Sequence, residues 1–287
     1  MKMKKIAIAP NKLKDADLAL TKLVVTKLYE AGYTVYSSTL NKKDLKGVKG
    51  ITFDTDRGVM KKSDICVVLG GDGSILKVAG ICAPFGVEIL GINLGQVGYM
   101  TAIEASQADR IVSIIQSDYD VESRMMLELD IERAGEIIFS GGPVLNDIVL
   151  AKSRGYGVIS SSLYCKDKLL GTYRGDGIIA STPTGSTAYS LSAGGPIIDT
   201  GMDCICMTPI CAHSLKSRPI VFRSDTEITI TCQSNMNSSC VTLDGDLAFE
   251  INDGDKIHVR KSEHRAKLIR TGNRTFYTTL YEKLSDK

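Results

Sequence analysis

The hydrophobic pattern changes period along the chain, and each change predicts an element. Lys5 to Ala9 form a short apolar run broken at Pro10 and Asn11, which predicts a strand. From Ala16 to Glu30, Leu20, Leu23, Val24 and Leu28 recur at helical spacing until Gly32 stops the repeat. Tyr33 to Tyr36 reads as a second strand. Ile65 to Leu69 is apolar at every position, as a strand buried on both faces of a parallel sheet requires. Helical spacing returns between Ser74 and Ile81, another strand follows from Glu88 to Ile92, and a helix from Ala105 to Ile115. This alternation predicts an α/β sheet whose ligands bind at the carboxyl ends of its strands.

After Ser117 the period shortens. Met125, Leu127, Leu129 and Ile131 alternate with more polar residues, the mark of a half-exposed strand. Further strands are predicted at Val144 to Leu150, Gly157 to Leu163, Gly177 to Ala180, Cys204 to Pro209, Glu227 to Cys232 and Lys256 to Arg260. Helical runs are scarce there, Ser186 to Ala193 being the main one, so this region is expected to be a β-rich second domain. The expected division is an α/β domain over residues 1–118, a β-rich domain over 119–264 and a C-terminal segment over 265–287. Pattern alone does not place that last segment.

Composition narrows the picture slightly. A formal net charge of +2 offers no basic surface for nucleic acid or an anionic membrane. Neither a secretory signal nor a membrane-spanning run is visible, and the eight cysteines form no CxxC pair, so a reducing, cytoplasmic setting is expected.

The candidate chemistry lies in the turns. Gly70-Gly71-Asp72-Gly73 sits where the most apolar strand meets a helix. Glycines let a phosphate approach the backbone, and the helix start presents unpaired N–H groups. Asp72 would repel such a ligand unless it accepts a proton or organises a cation; its other reading is a helix cap. Lys77, one turn on, could reach a phosphate or simply be solvated. A second polar stretch runs from Gly175-Asp176-Gly177 through Ser181-Thr182-Pro183-Thr184-Gly185-Ser186-Thr187-Ala188-Tyr189-Ser190-Leu191-Ser192 to Pro196, with Arg174 just before it. It suits hydrogen bonding to a polar ligand, or an ordinary loop and helix start. Asn146-Asp147 could hold the two hydroxyls of a ribose or make a turn. Asp244-Gly245-Asp246 resembles a hairpin turn, and His213, His258 and His264 suggest local hydrogen bonding.

Four blocks in this order make the chain resemble the bacterial NAD kinase family: Gly70 to Gly73; Gly91-Ile92-Asn93-Leu94-Gly95 with Gly98-Tyr99; Asn146-Asp147; and Gly175 to Pro196. The resemblance runs to about Lys261. It implies a Rossmann-like α/β domain plus a β-rich domain with the active site between them, and a chain end that returns to the first domain. It also implies that ATP or polyphosphate, with Mg2+ brought by the donor, phosphorylates the adenosine ribose 2′-hydroxyl of NAD. On that basis Asp72 is the general base and Gly70, Gly71 and Gly73 bind phosphate. Asn146, Asp147, Thr187, Ala188, Tyr189 and Ser192 hold NAD, with Lys77, Asn93, Arg174 and Asp176 lining the site and Tyr99 near the adenine. A homodimer or homotetramer is implied, with Asp246 near a subunit interface. Two departures stand out. Asp147 replaces the usual Glu, and Gln96 stands where a basic residue is usual, so a weaker phosphate contact is expected there. The competing readings are a lipid kinase of the diacylglycerol or sphingosine type, which shares the glycine turn, and a non-catalytic NAD(P)-binding protein.

Overall fold

The computed structural model describes residues 3–95, 98–153, 157–214, 216–233, 239–272 and 275–285. The chain forms two compact units, Met1–Ser123 with Arg265–Lys287, and Arg124–His264. In the first unit β1 (Lys5–Pro10), α1 (Ala19–Glu30), β2 (Thr34–Ser38), β3 (Ile51–Asp54), α2 (Asp56–Lys62), β4 (Ile65–Gly70), α3 (Asp72–Cys82), β5 (Glu88–Asn93), β6 (Ile103–Glu104) and α4 (Ile111–Gln116) follow one another. The strand order is β3-β2-β1-β4-β5, parallel throughout, with the short β6 also beside β5. β4 is buried at all six positions, which is why its sequence shows no alternation. Ile6, Ile8, Val35, Val67, Leu69, Leu90 and Ile92 share a core with Val24, Val25 and Leu28 of α1.

The strand order contains the feature that places a site. The chain crosses from β1 to β2 toward one edge of the sheet and from β4 to β5 toward the other, so the strand order reverses between neighbouring β1 and β4. Ligands bind outside the carboxyl ends at such a switch point. The loop after β1 begins at Asn11, and the loop after β4 is the Gly70-to-Gly73 turn.

The second unit begins within β7 (Asp120–Arg133), continues through β8 (Glu136–Val144), β9 (Asp147–Lys152), β10 (Ile159–Cys165), β11 (Lys168–Gly175), β12 (Gly177–Ser181), α5 (Tyr189–Ser192), β13 (Cys204–Ile210), β14 (Ile220–Arg223), β15 (Ile228–Gln233), β16 (Ser239–Leu243) and β17 (Asp246–Ile251), and ends within β18 (Lys256–Arg270). One antiparallel sheet has the order β14-β13-β12-β9-β16-β17. In the other, β10 lies between β11 and β15, β15 pairs with β18, and β7 pairs with β8. Alternate residues of β7 (Met125, Leu127, Leu129, Ile131) meet Ile148, Leu150, Ile178 and Ile205 in one core between the sheets. From Arg265 onward β18 belongs to the first unit, where Lys267 and Leu268 pair parallel with Glu88 and Ile89. The helix α6 (Phe276–Ser285) follows. No helix among the described residues is long and apolar enough to cross a membrane.

Several elements differ from the pattern-based reading. The predicted helix from Ala105 to Ile115 is a 3-10 turn over Ala105–Arg110 continued by α4, and the one from Ser186 to Ala193 is a 3-10 turn at Gly185–Thr187 followed by the four-residue α5. β3, α2, β8, β11, β14, β16 and β17 have no counterpart in that reading. They are short or largely exposed, so few of their residues carry the apolar period; β11 is exposed or half-buried at every position but the last.

Candidate active site

The glycine turn is shaped by contacts that a side chain would block. Gly71 ends the extended chain as the N-cap of α3, and Asp72 is the first helical residue. A Cβ at Gly70 would collide with Ser74, and one at Gly71 would lie 3.2 Å from Lys14 Nζ. Nothing lies within 4 Å of a Cβ at Gly73, so that side of the turn is open. The N–H groups of Asp72 and Gly73, at the head of α3, have no carbonyl one turn earlier to receive them.

Asp72 does not cap its own helix. Its Oδ2 accepts the Tyr99 backbone N–H at 2.7 Å and its Oδ1 accepts that of Met100 at 3.0 Å. The carboxylate therefore ties the glycine turn to the loop after β5, with lone pairs on both oxygens left over. Gly98 permits this, because a Cβ there would collide with the carboxylate. The same loop is held from the C-terminal segment: Arg270 donates to the Tyr99 carbonyl at 2.8 Å, the Phe276 ring lies 6.1 Å from the Tyr99 ring, and the Lys283 ammonium stands 4.5 Å over it. Burial, and then the charge of Asp72, push the Tyr99 hydroxyl above its ordinary pKa. Asn93 is buried, and its amide donates to the Gly95 carbonyl and to Glu104 while accepting from Gly95 N–H, so its side chain shapes this loop. Gln96 and its weaker phosphate contact lie outside the described residues. Lys77 is exposed on α3.

The second unit brings a polar group of its own together. Thr182 donates its N–H to the Asn146 carbonyl at 2.9 Å and its hydroxyl to the Leu145 carbonyl at 2.6 Å, and accepts from Gly185 N–H at 3.0 Å. A Cβ at Gly185 would collide with the Asn146 backbone, which accounts for that glycine. Arg124, 1 % exposed, donates to the Thr184 hydroxyl at 3.1 Å. Ala188 N–H bonds the Gly185 carbonyl and Thr187 Oγ1 bonds that of Thr184, and the chain then turns into α5 with Tyr189 half-exposed and Ser192 exposed.

Asp147 is the buried carboxyl of this group. Burial and then the charge of Asp244 raise it from 3.8 to about 7. Tyr189 lies near enough to Asp176 and Asp147 that burial first, then Cys211 and these two carboxylates, raise its pKa. Asp176 pairs with Lys152 at 2.7 Å. The glycines on either side of it serve packing: a Cβ at Gly175 would meet the Ile210 and Cys211 carbonyls, and one at Gly177 the Leu150 carbonyl. Arg174 is exposed on β11, and His213 donates its N–H to the Arg174 carbonyl at 2.8 Å. His258 bridges Thr229 and Glu132, both at 3.0 Å.

Asp244 is the residue that sequence reasoning undervalued. It stands at φ +48°, with Gly245 at φ +89°, in the turn between β16 and β17. One carboxylate oxygen accepts Asn146 N–H at 2.7 Å and Asp147 N–H at 3.1 Å, and the other accepts Leu145 N–H at 2.9 Å. Its own N–H donates to the Asp147 carbonyl at 3.0 Å. Asp246, the position the resemblance singles out, is exposed at the start of β17. The Asp-Gly pair signals only a hairpin; nothing local announces partners 97 to 99 residues earlier.

The first unit thus carries a glycine turn and an ordered carboxylate at the switch point of a parallel sheet, and the second, β-rich unit carries a hydroxyl-rich loop. The ATP-NAD kinase N-terminal domain matches residues 6–119, and the ATP-NAD kinase C-terminal domain matches residues 145–271. The NAD kinase of Caldanaerobacter subterraneus subsp. tengcongensis is 38% identical over 286 residues, 99% of this chain and 100% of that one. Among solved structures, yeast NADH kinase complexed with NADH superposes with a TM-score of 0.88 at 22% identity, covering 99% of this chain and 88% of that chain. An Archaeoglobus fulgidus NAD kinase in complex with ATP gives a TM-score of 0.72 at 22% identity over 98% of both chains. The chain belongs to the ATP-NAD kinase family. Family membership sets aside the lipid-kinase reading.

Proposed function

We propose that the chain transfers the terminal phosphoryl group of ATP to the adenosine ribose 2′-hydroxyl of NAD, with Asp72 as general base. The observation that carries this is the Asp72 carboxylate, oriented by two backbone N–H groups beside a turn whose glycines leave room for phosphate. In the transfer the ribose 2′-oxygen bonds to the terminal phosphorus as the bond to the bridging oxygen breaks. The hydroxyl proton passes to Asp72, and ADP leaves. Asp72 must come within about 3 Å of that hydroxyl, while the open N–H groups of the α3 head stabilise the phosphoryl oxygens. The Asn146–Asp147 turn, Thr187, Ala188, Tyr189 and Ser192 bind NAD, with Arg174 and Asp176 beside them. A buried acid able to accept from a ribose hydroxyl supports that part of the reading. Among the described residues no group of three or more His, Cys, Asp or Glu could hold a metal ion. A divalent cation such as Mg2+ would arrive on the donor's phosphates and offset their charge, with Asp72 as a carboxylate able to hold it.

The protein functions as a homodimer or homotetramer in this reading. Support comes from Ile137, Leu169, Leu170 and Leu247, apolar side chains exposed on the second unit. Eight free cysteines, six of them buried, suit the cytoplasm. The purified chain is tested with NAD, Mg2+ and either ATP or inorganic polyphosphate, with product measured by an NADP-specific dehydrogenase. NADP should form with at least one donor; none with either overturns the proposal.

A further inference from the structure

The loop after β1 is fastened onto the glycine turn. Asn11 N–H donates to the Leu69 carbonyl at 2.9 Å, and its side-chain amide donates to Ser74 Oγ at 2.8 Å, in the first turn of α3. The Asn11 side-chain oxygen accepts Leu13 N–H at 3.0 Å, and its carbonyl accepts the N–H groups of Lys14 at 3.1 Å and Asp15 at 3.0 Å. Asp15 is anchored from the other side, accepting from Leu20 N–H at 3.0 Å, Thr21 N–H at 2.9 Å and the Thr21 hydroxyl at 2.6 Å. Lys14 is thus held between two anchored residues at the switch point.

Two lysines of this loop have different surroundings. Lys12 pairs with Asp44 at 2.7 Å and donates to the Leu40 carbonyl at 3.0 Å. Lys14 makes no ion pair among the described residues. Its Nζ lies 3.2 Å from the position a Cβ would take on Gly71 and 3.3 Å from that on Gly95, so the ammonium overhangs bare backbone on both loops. Asp72 places a negative charge in the turn that must receive a polyanion, and a nearby ammonium offsets that repulsion.

We propose that Lys14 is a ligand of the donor's polyphosphate chain, its ammonium reaching across the glycine turn to the phosphate oxygens seated there. The inference rests on the kinase reading, in which ATP or polyphosphate occupies this turn. Lys14 acts on the donor alone and takes no part in holding NAD.

The test compares parent, Lys14→Met and Lys14→Arg. The Lys14 side chain is exposed and makes no hydrogen bond among the described residues, so all three should melt at similar temperatures. Lys14→Met should raise KM for ATP by about ten- to a hundredfold, as expected for a lost charge-assisted hydrogen bond, with KM for NAD within about twofold of the parent. Lys14→Arg should recover part of the loss, since it restores the charge but not the compact donor. Calorimetric titration with inorganic tripolyphosphate reads the same contact without turnover, and Lys14→Met should weaken it similarly. Unchanged tripolyphosphate affinity in folded Lys14→Met overturns the assignment, as does an equal rise in both KM values. A parent that makes no NADP refutes the kinase reading instead, and the titration still decides Lys14.

Discussion

Asp72 combines two functions that one substitution would disturb unequally. Asparagine can accept one of the two loop N–H groups, but its amide would point a donor at the other, so Asp72→Asn should cost about 1–3 kcal/mol of stability. If Asp72 is the general base, kcat should also fall by about 10²–10⁴. Arg270→Lys provides the control: it loosens the same loop at the Tyr99 carbonyl without touching the carboxylate. A kcat for Asp72→Asn no lower than that of Arg270→Lys would reduce Asp72 to a loop fastener. Asp147 supplies a pH test. Its pKa rises from 3.8 unfolded to about 7 folded, so the folded state binds more protons between those values. Stability is therefore complete below about pH 4 and declines as pH rises through 7, by at most about 4 kcal/mol. The melting temperature of the parent relative to Asp147→Asn should fall across this window; a constant difference would refute the shift. If the ionised acid accepts from the ribose, KM for NAD should improve as pH rises through 7 in the parent and stay flat in Asp147→Asn.

The β16–β17 hairpin acts as a clamp on another loop. Its turn residue Asp244 gathers three consecutive backbone N–H groups, which fixes the backbone from Leu145 to Asp147. Burial raises the pKa of Asp244 despite these bonds, so two neighbouring carboxyls share a desolvated place. Asp244→Ala would leave three donors without their acceptor and put alanine at a left-handed φ, a loss of about 2–3 kcal/mol by chemical denaturation. Asp244→Asn tolerates the left-handed backbone and should be milder. If the displaced turn holds the dinucleotide as proposed, both should raise KM for NAD several-fold more than KM for ATP. Parallel rises in the two constants would mean only that the fold had weakened. Glycine chemistry works at the same level: Gly98 and Gly185 are required by close approach to Asp72 and Asn146.

Each unit of the molecule has its own core, but the first is not contiguous in sequence. Leu268 and Ile269 are buried, and β18 pairs with β5 there, so residues far along the chain complete its sheet. Truncation after His264 should expose the edge of β5 and remove the Arg270 contacts to the loop around Tyr99, giving a chain that loses cooperative unfolding of the first unit. Truncation after Gly272 removes α6 alone and should leave that sheet intact. Equal melting of the two truncated chains, followed by circular dichroism, would show that the β18 end contributes nothing.

Local pattern determined much of this protein. The uninterrupted apolar run of β4, the alternation in β7 and the glycine turn between β4 and α3 were all legible, because burial on two faces, burial on one face and close approach to backbone each restrict residue type locally. The motif blocks carried the family as well. Half-exposed strands such as β8 and β11 were not legible, since a hairpin arm with few buried positions leaves little apolar period to read. Only tertiary structure decided which polar groups meet. Asp72 binds the N–H groups of Tyr99 and Met100, Asp244 those of Leu145 to Asp147, and Asn11 the hydroxyl of Ser74. These contacts span 27 to 99 residues, and hydrogen bonding leaves no periodic trace in a sequence at that separation. Strand order brings the β1 and β4 loops together, and with them Lys14 and the glycine turn.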